Sequence, residues 1–185
     1  MTTFEYTGCA DEFNYAEILK NEDNKISIFF EAELDVNELI EYIVNQIKVK
    51  TAAFKEFCPF EKYAGLKRYK CNDISVSIDK YICVVNFGKR IQIEFPSPKY
   101  KDRITDSRIT LRYIEEIGEC FKLYFVFRIF VKDNEVVIDF YPTRHTLDYI
   151  ELKYDLNSFE TPCYINELVK LLNFWKKTVY EIFEK

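Results

Sequence analysis

From Ile74 to Tyr141 apolar side chains return on every second residue, in one short run after another. Ile74, Val76 and Ile78 alternate with Ser75 and Ser77. Ile91, Ile93 and Phe95 share a face, and Ile109, Leu111 and Tyr113 oppose Arg108, Thr110 and Arg112. The run from Phe121 to Val131 sets Phe121, Leu123, Phe125, Phe127, Ile129 and Val131 against a mixed face of Lys122, Tyr124, Val126, Arg128 and Phe130. A period of two is the signature of strands that bury one face. Tyr81 to Phe87 is apolar on both faces, and a further short strand is expected over Tyr149 to Tyr154. Asn86-Phe87-Gly88-Lys89 and Lys132-Asp133-Asn134-Glu135 read as tight turns, so successive strands should pair antiparallel.

Helical periodicity brackets this region. Upstream, Ile26, Ile28, Phe30, Ala32 and Leu34 alternate as a first strand. Asp35 and Glu38 then resemble a capping box, and Val36, Leu39, Ile40, Ile43, Val44 and Ile47 mark an amphipathic helix through Lys50. A short helical piece is expected to run on to Cys58, before Pro59, and a weaker one lies around Phe13 to Leu19. Downstream, Thr161-Pro162 places a capping hydroxyl before a proline at the first helical position. Ile165, Leu168, Val169, Leu172, Trp175, Val179, Ile182 and Phe183 then trace one face of a long C-terminal helix.

The expected class is α+β: residues 1–185 as a single domain, with an antiparallel sheet of about six or seven strands packed on an early helix and a long C-terminal one. The chain's 185 residues suffice for a full core, and its four glycines and five prolines exclude repetitive or linker-rich architectures. This order of elements resembles the helix-grip fold, in which a curved antiparallel sheet closes around a C-terminal helix. The resemblance implies a cavity for an apolar ligand between sheet and helix, which the chain's rings, 17% of all residues, would either line or fill.

Charge is segregated along the chain. Residues 1–50 hold eleven acidic against four basic side chains, residues 51–112 seven against thirteen, and the remainder thirteen against nine. The six cysteines, Cys9, Cys58, Cys71, Cys83, Cys120 and Cys163, include no C-x-x-C pair, and His145 is the only histidine. A zinc set is therefore not expected, and the cysteines read as small buried side chains of a reducing cytoplasm. The first residues break their apolar positions with Glu5, Asp11, Glu12 and Asn14, so no secretory leader is expected. Nor does any stretch approach the roughly 18 continuous apolar residues of a membrane span.

Chemistry-bearing motifs are scarce. No G-x-S-x-G, P-loop, G-x-G-x-x-G or H-E-x-x-H occurs. A nucleophile-base pair of His145 with Cys163 or Cys120 is allowed by composition alone. Asp139 at the end of an apolar strand, followed by Glu151-Leu152-Lys153, resembles the acid and E-x-K set of PD-(D/E)xK nucleases. That resemblance covers residues 135–153 and implies two carboxylates on a divalent cation with a lysine beside them. It departs from the pattern in that Pro142 follows the aspartate instead of preceding it. In the basic third, Lys62, Lys67, Arg68 and Lys70 interleave with Tyr63 and Tyr69, and Lys99, Lys101, Arg103, Arg108 and Arg112 follow. Such interleaving can hold single-stranded nucleic acid by phosphate pairing and base stacking.

The absence of a complete catalytic set points to a non-enzymatic protein-binding module without cofactor or metal. The expected form is a small acidic inhibitor, of the immunity or phage-encoded kind, that occupies the basic site of a nucleic-acid-handling protein. Its expected contact residues are Glu31 and Glu33 on the first strand and Glu38 and Glu41 on the first helix. A helix-grip-like carrier of an apolar small molecule and a nuclease built on Asp139, Glu151 and Lys153 are the alternatives.

Overall fold

The computed structural model of the chain describes residues 2–4, 25–28, 32–58, 68–79, 81–97, 108–117, 121–142 and 149–184. The alternating runs become eight strands of one open sheet: β4 (Arg68–Cys71), β5 (Ile74–Ile78), β6 (Ile82–Phe87), β7 (Ile91–Pro96), β8 (Ile109–Ile117), β9 (Phe121–Lys132), β10 (Glu135–Tyr141) and β11 (Ile150–Asp155). Every strand pairs antiparallel with its chain neighbour, so spatial order follows sequence order from β4 at one edge to β11 at the other. Two-residue and three-residue connections enforce this at every step except β7–β8 and β10–β11, where the connections are longer. Gly88 and Asp133 take positive φ (68° and 55°) in the β6–β7 and β9–β10 turns, where the tight reversal requires it.

Two helices complete the α+β unit, α1 (Val36–Phe57) and α2 (Cys163–Glu184). Asp35 caps α1, its Oδ1 accepting from the amides of Asn37 (2.9 Å) and Glu38 (3.4 Å). The helix runs without a break to Phe57, where the sequence suggests an end near Lys50 and a separate piece. Thr51 and Phe54 continue the buried stripe of Val36, Leu39, Ile40, Ile43, Val44 and Ile47 at the same spacing. Thr161 does not cap α2 as expected; its hydroxyl donates to the carbonyl of Asp155 at 2.5 Å.

The expected first strand divides in two. β2 (Lys25–Ile28) and β3 (Ala32–Asp35) pair antiparallel with Ile28 opposite Ala32, and β1 (Thr2–Phe4) pairs parallel with β2 in a separate three-stranded sheet. The apolar positions Ile26 and Ile28 of β2 and Ala32 and Leu34 of β3 keep one parity, so period-two alternation alone does not separate the two strands. The helical piece around Phe13 to Leu19 lies outside the described residues.

The strand faces sort cleanly. Val76, Val85, Phe87, Ile93, Phe95, Leu111, Phe125, Phe127, Ile138 and Phe140 point to the helix side and are buried. Rings fill that layer. Trp175 of α2 lies 4.8 Å from Phe54 of α1 and 5.2 Å from Phe87 of β6, and its Nε1 donates to Thr51 Oγ1 across 2.9 Å. These described rings meet in the layer between helices and sheet, where the helix-grip resemblance implies a ligand cavity.

One covalent tie departs from the expectation of reduced cysteines. Cys58, the C-cap of α1, forms a disulfide with Cys71 at the end of β4, with Cα atoms 6.1 Å apart. The fold brings the two thiols to one sheet margin, a proximity no spacing rule anticipates. Cys83 is buried as expected, while Cys163 in the first turn of α2 is exposed.

Candidate functional site

Asp139 and Glu151 stand directly opposite each other on β10 and β11, on the sheet face turned away from the helices. Antiparallel register thus brings together the acid and the E-x-K triplet that sequence alone separates by twelve positions. Arg128 is the opposite neighbour of Asp139 on β9, so the carboxylate sits between a guanidinium and a second carboxylate in one row. Arg108 Nη1 approaches Asp139 Oδ2 at 3.4 Å, and Lys153 Nζ approaches Glu151 Oε1 at 3.3 Å.

The Asp139 side chain keeps only 10% of its surface exposed, and its Oδ1 is buried with no hydrogen-bond partner. Burial pushes its pKa above the ordinary aspartate value; Arg108 and Arg128 oppose that shift and Glu151 reinforces it. Both carboxylates therefore already face cations of this chain. A divalent ion there would have to displace Arg108 from Asp139 and Lys153 from Glu151. Among the described residues no group of three or more histidine, cysteine, aspartate or glutamate side chains is placed to hold a metal.

Farther along the same face a relay of side-chain bonds crosses four strands. Arg112 Nη1 donates to Glu94 Oε2 (2.6 Å) and Gln92 Oε1 (3.1 Å), Gln92 Nε2 to Asn86 Oδ1 (3.0 Å), and Asn86 Nδ2 to Ser75 Oγ (3.3 Å). Arg108 and Arg112 are thus engaged with carboxylates. Arg68 and Lys70 are exposed on β4, with three strands between it and β8. Tyr69 between them is buried against Phe54, with ring centroids 6.0 Å apart, and cannot stack on a base. Lys62, Tyr63, Lys67, Lys99, Lys101, Arg103, Cys120 and His145 lie outside the described residues.

The third region is the acidic corner where α1 begins. Glu38 and Glu41 are exposed on its first two turns, and among the described residues neither joins an ion pair. Glu31 lies outside the described residues. Glu33 falls on β3, but its side chain is not described. Beside this corner Asn37 Oδ1 accepts from the hydroxyls of Tyr154 (2.9 Å) and Tyr164 (3.4 Å), tying α1 to β11 and α2. Burial raises the Tyr154 hydroxyl to a pKa of about 12, with smaller contributions from Tyr164 and Asp35. Tyr164 is raised by burial first, then by the negative charge of Glu41 and Asp35.

A surface groove of about 780 Å³ opens next to this triad, between β11 and the start of α2, with Glu151, Asp155 and Glu160 on its walls against the single cation Lys153. Sequence reading identified Glu38 and Glu41 but missed Asn37, Tyr154 and Tyr164, because nothing in their spacing shows that three separate elements converge.

No helix among the described residues is long and apolar enough to cross a membrane. Comparison with protein-family models, curated proteins and solved structures finds no match to this chain. The class defined here is therefore structural: an antiparallel α+β unit with one helix-covered sheet face and one face of mixed polar and apolar side chains.

Proposed function

We propose that this protein is a non-enzymatic binding module whose acidic corner engages a basic protein partner. A small inhibitor of a nucleic-acid-handling protein, of the immunity or phage-encoded kind, is the specific form of that reading. The observation that carries it is the pair Glu38 and Glu41, exposed and outside any ion pair among the described residues, beside a groove with three carboxylates and one cation. Arg108, Arg112 and Lys153 by contrast each meet a carboxylate of the same chain. Unneutralised acids on a rigid helix start offer a long-range field that steers a basic surface into place.

The test uses a partner recovered with the full chain and then purified. Replacing Glu38 and Glu41 together by lysine should slow association about tenfold at low salt and flatten its ionic-strength dependence. Unchanged association kinetics would remove these residues from the interface. The same reading places the protein in the cytoplasm. Disulfides are rare in reducing compartments, so the redox state of Cys58 and Cys71 in protein taken directly from cells tests that placement.

A further inference from the structure

We propose that the outer edge of β11, unpaired among the described residues, pairs with the same edge of a second copy of this chain, in the register that sets Glu151 of each copy opposite Lys153 of the other. This goes beyond the binding function above and does not depend on it.

The backbone supplies the first half of the argument. β11 is the terminal strand of the sheet, paired only with β10 among the described residues. The amide of Leu156 donates to the carbonyl of Asn134 at 2.7 Å, two residues beyond the pair Val136 and Tyr154 and therefore in the same hydrogen-bonding phase. In an antiparallel ladder hydrogen-bonded pairs alternate along the strand. Ile150, Leu152 and Tyr154 consequently bond inward to β10, while Glu151, Lys153 and Asp155 turn their N–H and C=O groups outward. The Asp155 carbonyl confirms this phase, since it accepts from the Ser158 amide (3.1 Å) and the Thr161 hydroxyl (2.5 Å) on the outer side. Among the described residues, pairing with a further strand is therefore open at Glu151 and Lys153 and closes at Asp155.

Charge supplies the second half. A symmetric antiparallel partner can align outward groups in a register centred on Glu151, Leu152 or Lys153. Centring on Lys153 sets lysine against lysine and Glu151 against Asp155. Centring on Glu151 sets glutamate against glutamate. Centring on Leu152 sets Glu151 against Lys153 twice, with four backbone hydrogen bonds between the copies, and places Ile150 across from Tyr154 on the helix face. Like charges directly opposite one another destabilise a strand pair and unlike charges stabilise it. Edge strands are ordinarily guarded against association by charge. Here two opposite charges separated by one residue make the edge complementary to itself.

Sedimentation and light scattering of the full chain across a concentration series should show a species of twice the 22.3 kDa chain mass. Glu151→Lys alone and Lys153→Glu alone should each weaken self-association at least about tenfold by creating like-charge pairs. Mixed together the two variants should associate with each other, and the double exchange E151K/K153E should behave as the parent chain. Glu151→Pro removes an outward N–H without touching the inward ladder and should abolish the dimer whatever the charges. A chain that stays monomeric, a mixture of single variants that does not associate, or a dimer that survives Glu151→Pro overturns the proposal. A monomer whose Glu151 and Lys153 amides are protected by an added extended lysine-rich peptide assigns the edge to a different partner and overturns it equally.

Discussion

Asp139 brings a negative charge to a sheet face where its side chain keeps a tenth of its surface in water and one oxygen has no partner. Its position was legible in the sequence as the last acid of an apolar strand. Its surroundings were not, because Arg128 and Glu151 reach it from two neighbouring strands and Arg108 from the residue just before β8. Because burial raises its pKa in the folded state, the native protein holds this proton more tightly than the unfolded chain does. The stabilising contribution is then fully present below the unfolded value and declines as pH rises through the folded one. Urea denaturation of the parent chain and of Asp139→Asn, at pH values from about 4 to 7, should show the parent losing stability relative to the variant as pH rises. A gap that is constant or widens in the parent's favour would show that Arg108 and Arg128 outweigh burial.

Apart from the Ile26–Leu34 run, which divides into β2 and β3, elements carried by a sustained period are legible in the sequence, and those that rest on a single distant contact are not. The β9–β10 hairpin and α2 needed only their own alternation and turn residues. β4, with one buried ring between Arg68 and Lys70, is too short for a pattern and exists because β5 pairs with it. Its tie to α1 is the Cys58–Cys71 bridge, which closes a 13-residue separation. A loop of that size contributes about 3 kcal/mol by restricting the unfolded chain. Reduction should therefore lower stability by about 2–4 kcal/mol while leaving the sheet folded. Peptide mapping after alkylation at neutral pH checks the pairing at the same time. Cys163 should label in the folded protein and Cys58 and Cys71 after reduction. Cys83, whose thiol burial and nearby Asp79 push to a pKa of about 12, should label only on unfolding. Labelling of Cys58 or Cys71 without reductant contradicts the bridge.

At the scale of the whole molecule, Trp175 is the joint. It is fully buried, bonded to Thr51 of α1 and in tilted contact with Phe54 and edge-to-face contact with Phe87, so α1, α2 and the sheet meet on one side chain. Neither helix can leave the sheet without opening that contact. Fluorescence of this single tryptophan and far-ultraviolet dichroism should report coincident unfolding transitions. Separated midpoints would mean that the helices and the sheet unfold as independent layers. Tyr154 and Tyr164, converging on Asn37, make a second joint at the opposite end of the helices, beside the acidic corner on which the binding function rests.

Local order along the chain determined the class of fold: alternation sets strands, helical spacing sets helices, and tight turns leave antiparallel neighbours as the economical pairing. It also determined which acids stand on the solvent side of α1, since side-chain direction follows from periodicity. Tertiary structure alone decided that Asp139 faces Glu151, that Cys58 meets Cys71, and that the outward groups of β11 carry charges of opposite sign. Those outcomes depend on register and on distances between elements far apart in sequence, which residue spacing does not encode.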